Sequence, residues 1–305
     1  MNDEVVPAAL DGERIDRVVA MLTGCSRSEA ADAISAGTVF VDDRPVAKAS
    51  LRLLEGQRVR VEGDPIRVVS PPEADPDVVF SVLHADDDVI VVDKPAGLVV
   101  HPGAGHSGAT LVHGLLARFP ELSTVGDDPL RPGIVHRLDK GTSGLLVVAR
   151  NADAFESLVD QLATHEVDRH YRALVHGHFE TARGTIDAPV GRSRRDPLRM
   201  TVSATGRHAR THYEVMSCFE QPAELTLLEC RLETGRTHQI RVHLRSIGRP
   251  VVGDDLYGGA RGPLRLERPF LHAAQLGFVH PGTGQQVQFH SVLPPDLIAV
   301  LDALA

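Results

Sequence analysis

Residues 133–150 read GIVHRLDKGTSGLLVVAR, in which two short apolar runs flank a compact polar insert. The runs at 133–135 and 145–148 are typical of buried strands, because they are short, apolar and rich in aliphatic residues. The insert places a single carboxylate, that of Asp139, among a histidine, an arginine, a lysine and two hydroxyl groups. The stretch therefore predicts a buried strand preceded by a loop with concentrated polar chemistry.

Outward from this stretch, residues 78–305 contain more strand patterns than helix patterns. Apolar runs or alternating patterns predict strands over 88–95, 144–150, 170–179, 223–230 and 285–291. Helical spacing of apolar residues predicts helices over 110–119, 153–165 and 237–248. Helices do not follow every strand, which differs from a doubly wound sheet. The pattern predicts an α+β fold with a mixed, mainly antiparallel sheet.

The first ~65 residues predict a separate small α/β module. Helical patterns span 12–22 and 26–37, with Ser26 or Ser28 as the N-cap of the second helix. Strand patterns follow at 38–46, with a turn at Asp42–Asp43, and at 56–63. The next residues are rich in Pro, Asp and Glu and are typical of a linker. We therefore predict a module over 1–66, a linker over 67–77 and a catalytic domain over 78–305.

The composition is that of an ordinary globular protein, with 42% hydrophobic and 24% charged residues in 305. No apolar run reaches the roughly 20 residues of a membrane span, and the acidic N-terminus lacks the apolar segment of a signal peptide. Cys25, Cys218 and Cys230 are odd in number and form no CxxC pair, which favours a reducing compartment. We expect a soluble cytoplasmic protein.

A net charge of −9 argues against a nucleic-acid partner, but the charge is unevenly distributed. The stretch 191–212, GRSRRDPLRMTVSATGRHARTH, contains six arginines and one aspartate. Such a stripe can bind phosphates, or it can be a solvated loop. The candidate RNA-binding residues are Arg192, Arg194, Arg195 and Arg199 in this stretch, and Arg14 and Arg27 in the N-terminal module.

Several segments match cofactor or metal motifs only in part. GAGHSG (103–108) fits the GxGxxG pattern of dinucleotide sites, but the second strand of a βαβ unit does not follow it. HEVDRH (165–170) spaces its histidines five apart, whereas two ligands on one helix face are four apart. GTSG (141–144) is not a GxSxG elbow, and there is no Walker A loop. We therefore expect chemistry that needs neither a metal nor a cofactor.

Asp139 is the remaining candidate for catalysis. A lone Asp between strands is often a turn former. However, Arg137 and Lys140 are close in sequence, and nearby cations favour the ionised form of a carboxylate. Such a carboxylate can act as a nucleophile or a general base. LETGRTHQIRVH (232–243) adds Arg236 and Arg241, and one of these guanidiniums can pair with a carboxylate while the other binds phosphate.

These segments together resemble one known family. HRLDKGTSG (136–144) resembles the signature of the RluA-type pseudouridine synthases, whose catalytic aspartate falls at Asp139. The N-terminal module resembles an S4 RNA-binding domain, and 191–212 corresponds to a long loop that family members place against RNA. Four further segments resemble family motifs in the same order: DKPAGLVVHPG (93–103), RHYRALVHG (169–177), LETGRTHQIRVHL (232–244) and RPVVGDDLYGG (249–259).

The resemblance implies an enzyme that detaches uracil from its ribose, turns it and rejoins it through carbon 5. Asp139 would either attack the ribose or remove a proton from it, and the choice between these two routes stays open. Arg137 would hold the flipped nucleotide or fill its place in the stack. Tyr171 would lie against uracil and assist proton loss from carbon 5. Arg241 is the first choice for the partner of Asp139, and Arg236 is the alternative.

The S4-plus-catalytic layout is most similar to RluD-type and RluC-type members. It implies 23S ribosomal RNA as the substrate, and a monomer with no obligatory protein partner. Three alternatives stay open: a non-catalytic RNA-binding or ribosome-assembly factor on the same fold, a synthase that acts on tRNA, and a nicotinamide-dependent oxidoreductase that uses 103–108. Aromatic residues are only 4%, so arginine–phosphate contacts and RNA shape should contribute more to affinity than base stacking.

Overall fold

The computed structural model describes residues 2–25, 27–62, 71–103, 108–193, 195–196, 199–264 and 266–304. The chain divides into two compact units, Met1–Ser70 and Pro71–Ala305. Within the described ranges, no helix is both long enough and apolar enough to cross a membrane.

The first unit packs two helices with a four-stranded antiparallel sheet of order β1-β4-β2-β3. Two adjacent aspartates form the predicted turn between β2 and β3, with left-handed φ values of 49° and 62°. The second helix begins at Arg27; its predicted cap at Ser26 lies outside the described residues, and so does the side chain of Ser28. The elements are β1 (Asn2–Val5), α1 (Ile15–Thr23), α2 (Arg27–Ser35), β2 (Val39–Val41), β3 (Arg44–Pro45) and β4 (Arg58–Val61).

The second unit contains the remaining strands and helices. Its strands are β5 (Ser81–Ala85), β6 (Val89–Lys94), β7 (Ser143–Ala149), β8 (Asp168–His176), β9 (Arg183–Asp187), β10 (Val190–Arg192), β11 (Met200–Val202), β12 (Arg210–Phe219), β13 (Leu225–Leu232), β14 (Leu271–Val279) and β15 (Gln286–His290). Its helices are α3 (Leu111–Arg118), α4 (Ala152–Ala163), α5 (Gln239–Ser246) and α6 (Pro295–Asp302).

Nine of these strands form one sheet, of order β5-β6-β7-β14-β8-β13-β12-β9, with β15 also paired to β14. Every pairing is antiparallel except β7 with β14. At that parallel pair, an added Cβ on Gly144 would lie 2.2 Å from the carbonyl oxygen of Ala273, so only glycine fits. The predicted α+β class with a mixed, mainly antiparallel sheet is confirmed.

The long loop that the resemblance implies over 191–212 includes regular structure. β10 and β11 pair as a short antiparallel hairpin, and residues 210–212 begin β12. Only Thr211 of β12 is fully buried, because β12 lies next to the edge strand β9. A strand with so little buried surface has no clear apolar pattern. β14 and the C-terminal α6 were not predicted either.

The glycine-rich segment GAGHSG differs from a dinucleotide site in its surroundings. Residues 104–107 lie outside the described part of the chain. β6 precedes this segment and β7 follows it, and these two strands are antiparallel neighbours. The strands of a βαβ unit run parallel, so this connection is of another kind.

The central strands fix the position of the polar loop that precedes β7. All seven residues of β7 are buried, and β6 buries five of its six. Leu145, Leu146, Val147 and Val148 pack into the main hydrophobic core with Leu174 of β8. Each such side chain contributes roughly 1.5–3 kcal/mol by burial. The loop therefore extends from a strand that is buried along its whole length.

Candidate active site

A cleft of about 660 Å³ lies between the loop before β7, strand β8 and the start of α5. Among the described residues that line it, Asp139 is the only carboxylate. The arginines that line it are Arg131, Arg137, Arg169, Arg207, Arg236 and Arg241. Although the whole chain is acidic, this cleft is cationic and suits a polyanionic ligand.

Asp139 meets Arg241 at the inner part of this cleft. Nη1 of Arg241 donates a hydrogen bond to Oδ2 of Asp139 at 3.1 Å, across 102 positions of sequence. The Asp139 side chain is 16% exposed and that of Arg241 8%. Of the two arginines that the sequence left open, the structure places Arg241 beside the carboxylate. Arg236 instead donates from Nε to the carbonyl oxygen of His208 at 3.0 Å.

The other edge of the Arg241 guanidinium is held by Asp254. Nε and Nη2 of Arg241 donate to the two Asp254 oxygens at 2.7 and 2.9 Å, and Asp254 is fully buried. Burial alone would lower the pKa of Arg241, but the hydrogen bonds to Asp254 and the attraction of both carboxylates raise it above its ordinary value. The bidentate pair leaves Nη1 directed at Asp139.

A second group near the carboxylate is His238, the residue before α5. Its Nε2 lies 3.9 Å from Oδ1 of Asp139, and its Nδ1 lies 2.8 Å from the hydroxyl of Tyr257. That hydroxyl also accepts the backbone N–H of Met200, at 2.9 Å, so its own proton is available for Nδ1. Burial lowers the pKa of His238. This arrangement favours a neutral imidazole with its N–H on Nε2, facing Asp139.

The loop that carries Asp139 is anchored from β6. The carbonyl oxygen of Lys140 accepts the N–H of Gly97 at 2.7 Å and Nζ of Lys94 at 3.5 Å. Lys94 is fully buried, and Nζ also donates to the carbonyls of Pro95 and Leu98 at 2.8 and 2.9 Å. Burial lowers the pKa of Lys94 to about 7, although the negative charge of Asp139 opposes this shift.

Tyr171 and Arg169 project from the same face of β8, because they are two residues apart in a strand. Both are nearly inaccessible to solvent, at 6% and 5% exposure. Burial raises the pKa of Tyr171 to about 12, against the effect of the Arg169 charge. Among the described residues, Tyr171 has no side-chain hydrogen bond. Its hydroxyl is therefore available for a ligand in the cleft.

Arg137 lies at the exposed part of the cleft, where Nη1 is 3.2 Å from Nε2 of His101. Nδ1 of His101 is 2.8 Å from the carbonyl oxygen of Pro102, so the imidazole proton lies there and Nε2 accepts from Arg137. Arg137, which belongs to the same loop as Asp139, is thus held by a neutral partner.

Of the described RNA-binding candidates within 191–212, none lines the cleft. Arg192 and Arg195 are exposed, and Arg194 lies outside the described residues. Nε of Arg199 lies 3.0 Å from a carboxylate oxygen of Asp196. In the first unit, Arg14 and Arg27 both pair with Asp16, at 2.8 and 3.1 Å.

One group of three described residues brings together atoms that could hold a metal ion: His84, Asp86 and His280. Nε2 of each histidine lies within 2.9 Å of the same Asp86 oxygen. Nδ1 of His280 accepts the N–H of Thr283, at 3.2 Å, which leaves the imidazole proton on Nε2 for Asp86. A nitrogen that carries a proton cannot bind a metal, so these contacts fit a hydrogen-bonded junction between β5 and the end of β14.

Comparison with known proteins agrees with this geometry. Residues 88–246 match the model of the RNA pseudouridylate synthase family, and residues 13–66 match that of the S4 domain. The first match covers more than half of the chain and contains Asp139, Tyr171 and Arg241. The chain is an RluA-type RNA pseudouridine synthase.

Relatives of this pseudouridine synthase match along nearly their whole length. An uncharacterized RNA pseudouridine synthase of Chloroflexus aurantiacus is 48% identical over 98% of this chain and 92% of its own. Ribosomal large subunit pseudouridine synthase D of Xanthomonas campestris is 43% identical over 100% of this chain and 92% of its own. The solved human protein RNA Pseudouridylate Synthase Domain Containing 1 is 26% identical, with a TM-score of 0.56 over 74% of this chain and 94% of its own.

The sequence analysis of this pseudouridine synthase missed five residues that complete the site: Lys94, Arg169, His238, Asp254 and Tyr257. All five lie inside the segments that resemble family motifs. Their signal was their position beside named residues, since Arg169 lies two positions before Tyr171 and His238 three before Arg241. Nothing local distinguishes buried Asp254 from exposed Asp255.

Proposed function

We propose that this pseudouridine synthase isomerises uridines of the large-subunit ribosomal RNA, with Asp139 as the reacting carboxylate. The observation that supports this role is a single carboxylate in an arginine-rich cleft, held at one oxygen by Arg241. Several relatives are named ribosomal large subunit pseudouridine synthase D, including those of Xanthomonas campestris and Nitrosomonas europaea. Their names support the choice of RNA.

Asp139 is suited to start the reaction. Oδ2 is occupied by Arg241, which leaves Oδ1 as the oxygen that meets the ribose. Oδ1 either attacks carbon 1′ or takes a proton from carbon 2′. In both routes the bond from carbon 1′ to N1 breaks, and its electron pair leaves with uracil. The ring then turns and carbon 5 bonds to carbon 1′. In the first route this breaks the ester bond to Oδ1, and in the second route carbon 2′ takes its proton back from Asp139. Carbon 5 releases its proton to solvent and N1 takes one up, so that the product is an isomer of uridine.

Tyr171 and Arg137 are proposed to hold the target nucleotide. With a pKa of about 12, Tyr171 is a neutral phenol at pH 7 and a poor proton acceptor. Its proposed role is therefore contact with the uracil ring, and any help with the proton at carbon 5 would be secondary. Arg137 lies at the exposed side of the cleft, where its guanidinium can hold the flipped nucleotide or take its place in the stack.

The surfaces outside the cleft are proposed to bind RNA less specifically. Arg14 and Arg27 of the S4 domain, with Arg192, Arg194, Arg195 and Arg199, would contact phosphates. Arg236 is proposed to bind phosphate at the cleft.

An enzyme for ribosomal RNA works where ribosomes assemble, so we propose a cytoplasmic location.

We propose the domain division 1–66, 67–77 and 78–305. Limited proteolysis should cut first within 67–77 and leave two stable fragments. A first cut inside 78–305 would contradict this division.

The decisive experiment is Asp139→Asn, which removes the charge and preserves the shape. The variant should bind RNA as the wild type does and form no pseudouridine in a tritium-release assay. Conversion by Asp139→Asn would refute the assigned role. Absence of conversion by either form on every RNA would favour the non-catalytic assembly factor.

The substrate is tested by mapping pseudouridines in RNA from cells with and without the gene. Loss of modified positions in 23S ribosomal RNA supports the proposal. Loss confined to tRNA would identify a tRNA pseudouridine synthase instead.

A further inference from the structure

Arg169 is a buried cation of the cleft that the steps above do not use. Its Nη2 donates to the carbonyl oxygen of Glu233, at 2.9 Å. Nε is buried and has no partner, and no hydrogen bond from Nη1 is found among the described residues. The described part of the chain also offers Arg169 no carboxylate within salt-bridge distance. Most of its donors are therefore unused.

An unpaired buried guanidinium is energetically costly, since a buried charge needs a partner of opposite sign. Arg172, three residues further along β8 and only half-buried, has such a partner, because its Nη1 pairs with the carboxylate of Glu229. Burial lowers the pKa of Arg169, which is consistent with a cation that has no counter-charge. The cost at Arg169 would be offset if an anion entered the cleft.

A neighbouring glycine leaves room for the guanidinium of Arg169 in the cleft. An added Cβ on Gly235 would lie 2.8 Å from Nη1, so the absence of a side chain there makes room for the guanidinium. Gly235, Arg169 and Tyr171 all line the same cleft as Asp139. Since Tyr171 is the proposed contact for the uracil ring, a bound base would lie close to these free donors.

The reaction itself produces an anion at this point. When the bond from carbon 1′ to N1 breaks, its two electrons stay with uracil, and the negative charge spreads over N1, O2 and O4. We propose that Arg169 is a catalytic residue that donates hydrogen bonds to the oxygens of this departing uracil anion. The charge develops only as the bond breaks, so the contact strengthens in the transition state and accelerates that step. This inference rests on the proposed function, which places uracil beside Tyr171.

The test compares two substrates that differ in how readily the base leaves. The fluorine of 5-fluorouridine withdraws electrons and stabilises the departing anion without help from the enzyme. Single-turnover loss of the N-linked nucleoside is measured by nucleoside chromatography, for RNA that contains uridine or 5-fluorouridine at the target. The variants are Arg169→Gln, which removes the charge, and Arg169→Lys, which keeps it. Arg172→Gln is the matched control on the same strand.

Arg169→Gln should slow the reaction of uridine by about 10²–10³-fold, the usual effect of losing one such donor. With 5-fluorouridine the loss should shrink at least tenfold. Arg169→Lys should retain most of the rate, and Arg172→Gln should react like the wild type with both substrates. An equal loss on both substrates would overturn the proposal, because a merely structural role does not depend on the leaving group.

Two further measurements separate the remaining explanations. If Arg169 bound a phosphate, Arg169→Gln would weaken RNA binding and reduce its salt slope by just under one; that result, with no leaving-group dependence, also overturns the proposal. Should Arg169→Gln fail to fold, Gly235→Ala tests the same contact. It retains the charge but displaces the guanidinium, so it should show the same dependence on the leaving group. Conversion by Asp139→Asn would refute the proposed function, whatever the result at Arg169.

Discussion

In the cleft one guanidinium is shared by two carboxylates, whereas in the first unit one carboxylate is shared by two guanidiniums. Arg241 lies between Asp139 and Asp254. Asp16 lies between Arg14 and Arg27. The same two chemical groups are thus combined in opposite ratios.

The two clusters differ in exposure as well as in sign. The side chains of the cleft cluster are 8%, 16% and 0% exposed for Arg241, Asp139 and Asp254. The arginines around Asp16 are 42% and 57% exposed. With two carboxylates and one guanidinium, the first cluster carries a formal charge of −1, and the second carries +1. The first orients a carboxylate within the cleft, and the second leaves two guanidiniums accessible at the surface.

The largest effect is expected from Asp254→Asn. Breaking a buried pair from one side costs about 3–5 kcal/mol of the free energy of unfolding. The loss of the bidentate contact also frees Arg241 to change its orientation. The rate of pseudouridine formation should therefore fall as well. Urea unfolding and the tritium-release assay measure the two effects. The control is Asp255→Asn, an exposed neighbour, and equal behaviour of the two variants would show that the buried pair has no special role.

A smaller effect is expected from Lys94, whose ammonium donates to the backbone carbonyls of Pro95, Leu98 and Lys140. Its folded pKa of about 7 lies below the usual value of about 10.4. Between these values the unfolded chain holds a proton that the folded chain has lost. The free energy of unfolding should therefore rise with pH from about 7 to 10, by up to about 1.4 kcal/mol per pH unit.

The Lys94 prediction can be tested cleanly, because the chain has only three lysines, Lys48, Lys94 and Lys140. Lys94→Met should remove this increase in urea unfolding measured across the alkaline range. Lys140→Met changes an exposed lysine and should keep it. A wild-type slope in Lys94→Met would mean that this ammonium titrates normally.

The smallest effect is expected from the exposed cluster. Replacing Arg14 and Arg27 together by Ala should lower the salt slope of RNA binding by slightly less than two, since each phosphate contact contributes just under one. The unfolding free energy should also fall, because Asp16 is only 5% exposed and loses both partners. The loss should stay below that of Asp254→Asn, since both arginines are at the surface. The double Lys variant keeps both charges and should keep the slope. An unchanged slope in the double Ala variant would remove these arginines from the RNA interface.

The sequence predicted the fold where the apolar pattern was strong. The runs in β6 and β7 are buried on both faces, and such runs identify strands without tertiary information. β12 was missed because burial there is confined to Thr211, and its neighbours read as a polar loop. The pairing of β7 with β14 joins residues about 130 positions apart. Long-range pairing of this kind has no local signal.

The site was predictable in its chemistry but not in its contacts. Asp139 was identified by the charges next to it in the sequence. The choice between Arg236 and Arg241 was open, because side chains five positions apart near the start of a helix can face different directions. The structure shows one arginine beside the carboxylate and the other on a backbone carbonyl. Asp254 and Arg169 are distinguished by their burial. Burial is a property of the folded chain, and no local sequence pattern identified it.

The hydroxyl of Tyr257 joins the hairpin of β10 and β11 to the imidazole of His238. On one side it accepts a backbone N–H from the hairpin that carries the exposed arginines, and on the other it meets the imidazole next to Asp139. A ligand that moved this hairpin would therefore also move the hydroxyl that contacts the His238 imidazole. We therefore expect a ligand bound at the hairpin to shift His238 relative to Asp139, which lies 3.9 Å from it.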